Sequence, residues 1–260
     1  MEMISWVKGI GLISLAGLAG VHMVTNAQSA SAAKDSSKAA GGPEQEVWRF
    51  DKTSELGGHP ATVLGHPLVI DSPYGKAVQF NGVDDALFVD VHPLAGVSAF
   101  TWEVIFRPDA DGRPEQRFFH LQEQDKKTRA DTENRMLFEI RLVNGQWALD
   151  SFATTNGQGL TLLNRGLLHP AGKWYRVEAV YDGKTFSNYV DGELQNSGPL
   201  QIGPQLAGHS SVGVRINKVD YFKGAILMAR MTRHALKPEE FLKMPQLVAD
   251  GAGKQTAEIH

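Results

Sequence analysis

Not one cysteine occurs among the 260 residues. Disulfide staples, thiolate metal sites and a cysteine nucleophile are therefore excluded, and no thiol is present to carry a lipid. A fold built from this chain must be held by a core large enough to do without cross-links, and the length suffices for one large domain or two small ones. A basic surplus is missing too. Lys and Arg number 26 against 29 Asp and Glu, a net charge of −3. No stretch interleaves clustered Lys and Arg with aromatics, so nucleic acid is excluded as a partner. Phosphate-binding glycine loops, zinc-ligand spacings and a Gly-x-Ser-x-Gly elbow are all lacking. So is any alternation of strands with helices. A single segment, KPEEFL (237–242), carries a helix-start signature, with proline ahead of two acidic residues.

The one long apolar run lies at the N-terminus. MEMISWVK supplies Lys8, GIGLISLAGLAGVHMV (9–24) is apolar apart from His22, and NAQSASAA follows with small-residue triplets such as Ala30-Ser31-Ala32. This order of charged, apolar and small residues is the pattern of a secretory signal peptide. The apolar part is short beside the roughly 20 residues of a spanning helix, so an uncleaved anchor is the alternative, with membrane association through residues 9–24. The expected division is a signal peptide or uncleaved anchor over 1–32, a flexible linker over 33–45, a folded domain over 46–244 and a loose C-terminal tail over 245–260. The chain is expected to be secreted or periplasmic, or held at a membrane by its first segment.

From Val47 onward, strand follows strand. VWRF (47–50), KAVQF (76–80), ALFVDV (86–91) and AFTWEVIFRP (99–108) come first, the last with apolar and mixed residues alternating at period two. RFFHLQE (117–123), MLFEIRLV (136–143), QWALDSFAT (146–154), KWYRVEAVY (173–181), FSNYVDG (186–192), SVGVRI (211–216) and KGAILMARM (223–231) complete the series. Asn144-Gly145, Asp182-Gly183 and Asp191-Gly192 mark tight hairpins, because glycine tolerates positive φ and Asp or Asn bonds its own backbone. The run NGQG (156–159) is read as a turn signal and nothing more. Many short strands with regular turns predict one all-β domain, a sandwich or barrel.

FNGVDDALFV (80–89), FTWEVIFRP (100–108), KWYRVEAVYDG (173–183), YVDGEL (189–194) and FKGAILMAR (222–230), in that order, resemble laminin-G-like jelly-roll domains of the concanavalin A-like lectin/glucanase superfamily. HALKPEEF (234–241) is similar to the closing segment of such domains. The resemblance implies a two-sheet antiparallel jelly-roll sandwich with a concave face that in relatives binds or cleaves glycans. One departure stands out: the G-x-I-D-x-V-R run of relatives has Leu227 in place of its aspartate. Some relatives hold structural calcium through loop carboxylates, which makes Asp84 and Asp85 the calcium candidates here. The competing account is that both close a tight turn by Asx bonding. No other cofactor is expected.

Alternation sorts each strand into core and surface. His120 and Gln122 share one side of their strand, Glu139 and Arg141 one side of the next, and Asp150 projects opposite Trp147 and Leu149. Arg215 and Asn217 oppose Val214 and Ile216. If these strands are neighbours, the polar residues meet on one surface. The plainest account is a solvated outer face. The second is glycan binding, with Glu139, Arg141, Asp150, Arg215 and Asn217 as polar ligands and Trp147, Trp174 or Tyr189 as stacking platforms. The third is a lyase acting on uronic-acid polymers, for which His120, Gln122, Arg141 and Tyr189 are the catalytic candidates: arginine or an amide to neutralise the carboxylate, histidine or tyrosine as base. A retaining glycosidase ranks lower, since no E-x-D-x-x-E run occurs and Glu133 and Glu139 are wrongly spaced. The charged segment 124–135 is expected to be a loop, solvated or facing a partner. A protein partner is therefore the alternative to a glycan, as for an accessory periplasmic subunit of a membrane complex. Binding ranks ahead of catalysis because no complete catalytic constellation is legible.

Overall fold

The computed structural model describes residues 43–248. The expected signal or anchor over 1–32, most of the expected linker and the end of the tail lie outside the described residues. Among the described residues no helix is long and apolar enough to cross a membrane.

Seventeen strands run β1 (Gln45–Arg49), β2 (Glu55–Leu56), β3 (His59–Leu64), β4 (Leu68–Ser72), β5 (Gly75–Asn81), β6 (Ala86–Val89), β7 (Phe100–Pro108), β8 (Glu115–Gln124), β9 (Asp131–Val143), β10 (Gln146–Thr155), β11 (Gln158–Leu163), β12 (His169–Pro170), β13 (Tyr175–Tyr181), β14 (Thr185–Val190), β15 (Glu193–Pro199), β16 (Gly208–Val212) and β17 (Lys223–Thr232). They form two antiparallel sheets. The first has the order β15-β14-β13-β7-β17-β5-β4, with β1 also on β17. The second has the order β11-β10-β9-β8-β16-β6-β3-β2, with β12 on β10. The two-sheet jelly-roll sandwich that the family resemblance implies is the observed fold, and of the sandwich or barrel expected from the strand pattern it is the sandwich.

Alternating apolar residues of the two sheets meet in one core. Trp102 and Phe106 of β7 enter from the first sheet. Trp102 sits 4.3 Å from Phe138, and Phe106 is stacked 4.6 Å from Phe118. Each fully buried ring of this kind contributes on the order of 1.5–3 kcal/mol from apolar burial, enough in aggregate to replace the missing disulfides. One polar side chain crosses the core: Asn188 of β14 donates to the Ser151 hydroxyl at 3.1 Å and the Leu162 carbonyl at 3.0 Å, tying the two sheets together. Trp147 is wholly buried in this core, so it is no sugar platform.

Turn chemistry sets the register. Asn144-Gly145, Asn156-Gly157 and Asp191-Gly192 each place two successive residues at positive φ, the requirement of a two-residue hairpin that matches strand twist. Asp182-Gly183 differs. Only Gly183 is at positive φ, and Asp182 instead accepts from the Lys184 and Thr185 amides at 2.8 and 2.7 Å.

Three expectations need correction. Segment 124–135 is not a long loop. β8 and β9 extend across it to a tip at 125–130, where Asp125 accepts from the Lys127 and Thr128 amides. The predicted helix at 237–242 is a single 3-10 turn, Pro238–Glu240. β1 begins at Gln45, inside the expected linker, and the Val248 amide at the start of the expected tail bonds the Pro73 carbonyl at 2.8 Å. The C-terminal residues cover part of the first sheet's outer face. There Leu242 and Met244 pack on a small second cluster of Ala77, Ile105, Ala225 and Leu227. Leu227 thus has an apolar duty where relatives carry aspartate.

Candidate functional site

Strands β8 to β11 are consecutive in the chain and adjacent in the sheet. Their core-facing residues, among them Phe119, Phe138, Leu149 and Leu162, alternate with a second set that faces outward. Register sets Arg117 opposite Glu139 and Glu139 opposite Asp150, while Leu137 pairs with Phe152 and Phe152 with Thr161. The outward set lines a cleft of about 170 Å³ whose walls are Arg117, Arg135, Leu137, Glu139, Arg141, Asp150, Phe152, Thr161 and Arg215.

One half of the cleft is a closed ladder of ion pairs. Arg141 Nη2 lies 2.6 Å from Asp150 Oδ2 and 2.9 Å from Glu139 Oε2, and its Nη1 is 2.6 Å from Glu115. Arg117 spans Glu115 at 2.6 Å, Glu139 at 3.2 Å and Asp220. Asp150 is 1 % exposed and Glu139 5 %, so both carboxylates depend on the guanidiniums: Arg141 hydrogen-bonds Glu139, and Asp150 is held by ion-pair proximity alone. Burial pushes the pKa of both upward. Their mutual repulsion adds to the rise for Glu139, and Glu115 adds to it for Asp150; Arg117 and Arg141 oppose it in both.

The other half is less paired. Arg135 lies with its guanidinium carbon 5.0 Å from the Phe152 ring centroid. Its Nη1 donates to the Glu133 carbonyl at 3.0 Å and stands 3.7 Å from the exposed Glu133 carboxylate, while its buried Nε has no partner among the described residues. Arg215 enters from the loop after β16. That loop is fastened to its surroundings at several points, among them the Ile216 amide donating to His120 Nδ1 at 3.0 Å, the Ser211 hydroxyl donating to the Val214 carbonyl at 2.6 Å, and the Arg117 amide donating to the Asp220 carbonyl at 2.9 Å. The Arg215 side chain makes no ion pair or hydrogen bond among the described residues. Burial pushes Arg135 down from the usual arginine range and Arg215, which lines the same cleft, adds to the effect, while the Glu133 and Glu139 carboxylates oppose it.

Of the predicted ligands, Glu139, Arg141, Asp150 and Arg215 therefore surround one cleft. Asn217 does not: β16 ends at Val212, and Asn217 is exposed at the tip of the loop rather than on a strand. The catalytic set does not assemble either. His120 is 1 % exposed, lies under the loop that carries Arg215, and is absent from the cleft lining. Its pKa is held well below the ordinary histidine value, by burial first and then by Arg215, Arg135 and His209, against a weak opposing effect of Gln122. Because Nδ1 accepts a hydrogen bond, the neutral ring carries its proton on Nε2. Gln122 is buried, its amide nitrogen set against the carbonyls of Glu123, Thr132 and Asn134 at 2.9, 2.9 and 3.0 Å, a structural duty in the β8–β9 extension. Tyr189 belongs to the first sheet and meets Phe241 edge-on at 5.2 Å. Trp174 is also on that sheet's side, between Tyr74 and Arg107.

The calcium candidates carry the turn. Asp85 is buried and accepts from the His66 amide at 2.7 Å and the Asn81 amide at 3.0 Å, while Asp84 accepts from the Asn81 side chain at 2.7 Å. No group of three or more metal-ligating side chains occurs among the described residues.

Five lining residues escaped the sequence reading, Leu137 among them as an apolar residue on the polar side of its strand. Arg117 sits at a bulge between Arg117 and Phe119 that breaks simple alternation. Arg135 fell in the stretch read as a loop. Phe152 lies two residues beyond Asp150 and alternation alone places it on the same face. Thr161 needed Asn156-Gly157 to be taken as a hairpin and not as an isolated turn.

Residues 81–241 match a laminin-G-type family model described as the concanavalin A-like lectin/glucanases superfamily. No curated protein is similar in sequence. Among solved structures, domain 4 of AbnA, an extracellular arabinanase from Geobacillus stearothermophilus in complex with arabinotriose, is 19 % identical with a TM-score of 0.54, over 75 % of this chain and 94 % of that one. The botulinum neurotoxin serotype D ligand-binding domain in complex with N-acetylneuraminic acid is 15 % identical with a TM-score of 0.54, over 75 % of this chain and 48 % of the toxin chain. Trypanosoma rangeli sialidase in complex with the inhibitor DANA is 15 % identical with a TM-score of 0.51, over 75 % of this chain and 31 % of the enzyme. The chain thus spans about half or less of the toxin and sialidase chains it matches.

Proposed function

Because this chain belongs to the concanavalin A-like lectin/glucanase superfamily, we propose that it is an exported carbohydrate-binding module whose glycan lies in the cleft over β8 to β11. The observation that carries the reading is the Arg117–Arg141 ladder. Planar hydrogen-bonding side chains stand mid-strand around an open cleft, already fixed by one another, so a sugar would find donors and acceptors that need no further ordering. Solved structures of the same fold that hold arabinotriose and N-acetylneuraminic acid support the class of ligand. Export rests on the signal-like pattern over 1–32. Binding stands ahead of lyase chemistry because His120 serves the loop beneath Arg215 and Tyr189 belongs to the other sheet.

The test is retention on a panel of immobilised polysaccharides, compared with Thr161→Trp. Thr161 is exposed on β11 at the cleft wall, so the larger ring blocks the cleft without touching the core. Wild-type retention that the variant loses supports the reading. No retention on any polysaccharide, or retention that Thr161→Trp leaves intact, refutes it.

A further inference from the structure

The charges of the cleft are not evenly matched along its length. Arg117 and Arg141 are engaged by Glu115, Glu139, Asp150 and Asp220. Arg135 and Arg215 are not. Within ion-pairing distance Arg135 has only the Glu133 carboxylate, 95 % exposed and 3.7 Å away, and Arg215 has none among the described residues. Two repelling guanidiniums facing one space are unfavourable unless something negative joins them. Arg135 is nevertheless fixed there, laid against Phe152, with a buried Nε–H unanswered. Arg215 is carried by a loop fastened at several points, one of them to His120. A neutral sugar offers no charge to relieve this arrangement. A carboxylate or sulfate group does, because its planar or tetrahedral oxygens accept from two guanidinium forks at once.

We propose that Arg135 and Arg215 form an anion subsite, so that the ligand of the cleft is an acidic glycan bearing a carboxylate or sulfate-ester group. The anionic group lies between the two guanidiniums. The sugar ring that carries it extends along the cleft toward Arg141 and the exposed Thr161 hydroxyl on its wall. The proposal rests on the glycan-binding reading above and narrows it to one chemistry.

Affinity electrophoresis distinguishes the two. The full chain is run through gels containing polygalacturonate (carboxylate), dextran sulfate (sulfate ester) or arabinan (neutral). Each is repeated with Arg135→Gln, Arg215→Gln and the control Arg49→Gln, an exposed residue of β1 on the first sheet. Retardation is expected in at least one anionic gel, and which one identifies the anion. Each cleft variant should weaken it about tenfold or more, the loss of one charge-assisted contact, while Arg49→Gln leaves it unchanged. Arg215 makes no contact the fold requires, so its variant stays folded even if Arg135→Gln does not. Equal retardation by arabinan, unaffected by the variants, overturns the anion subsite and leaves the glycan reading standing. Retardation in the anionic gels that Arg215→Gln leaves unchanged, or that Arg49→Gln weakens equally, also overturns it. No retardation in any gel overturns both.

Discussion

Replacing Glu178 by glutamine should make the protein more stable at neutral pH. Glu178 lies in the middle of β13, wholly buried, directly opposite Glu103 on β7 and Tyr189 on β14. Its neighbour Glu103 is well provided for, since it pairs with Arg230 and accepts the Leu242 amide at 2.7 Å. Among the described residues neither oxygen of Glu178 has a hydrogen-bond partner. Burial first, with the Glu103 and Asp191 charges adding to it, pushes the Glu178 pKa from 4.5 to about 8, against Arg176 and the nearby Gly192 amide, which pull it down. The folded state therefore keeps a proton that the unfolded chain releases as pH rises past the ordinary value. Stability attributable to this group is intact below about pH 4.5 and falls as pH climbs toward 8. At about 1.4 kcal/mol per tenfold change in proton affinity, the cost is on the order of 3 kcal/mol at pH 7 and approaches about 5 kcal/mol above pH 8. Glutamine has the same shape and no charge to lose. Urea unfolding of both proteins, followed by tryptophan fluorescence, should give matching stabilities near pH 4 and a gain of about 3 kcal/mol for Glu178→Gln near pH 7. Every other titrating group is common to the two proteins and cancels. A variant no more stable than wild type at neutral pH would refute the reasoning.

Arg141→Met should destabilise the fold by about 3–5 kcal/mol, because Asp150 and Glu139 are left buried without their shared cation; urea unfolding at neutral pH measures it, and a loss under about 1 kcal/mol would show that the ladder is dispensable. His120→Ala should cost about 1 kcal/mol through the lost Ile216 contact. Its sharper signature is faster hydrogen exchange at the Ile216 amide together with weaker glycan retention; unchanged exchange would mean that His120 does not hold the loop.

The architecture was legible because its determinants are local. Asn144-Gly145 and Asp191-Gly192 specify their hairpins by φ alone, and period-two alternation in β7 and β9 identifies the core face without knowledge of neighbours. The polar sides of β9 and β10 were equally readable, which is why Glu139, Arg141 and Asp150 could be named together. Long-range facts could not be read in this way. Tyr189 and His120 alternate in the same manner along their own strands, and only the sheet order separates them. Asn217 was misplaced because a five-residue strand, Gly208–Val212, gives way to a loop whose Val-Arg-Ile run still has strand-like composition. Arg135 was hidden by charge. DTENR at 131–135 has the composition of a solvated loop, yet it is a strand because Gln122, Glu123 and Asn134 satisfy the polar groups of the β8–β9 extension.

All but one of the cleft-lining side chains come from four successive strands joined by short connections, and the exception, Arg215, arrives on a separate loop pinned from below. That division lets ligand preference be rewritten independently of folding. Exchanging the five residues from Arg215 to Val219 would change one wall of the proposed binding surface while Asp220 and the buried Phe222 stay in place and the meander keeps its own register, so the charge offered to a sugar could change on an unchanged scaffold.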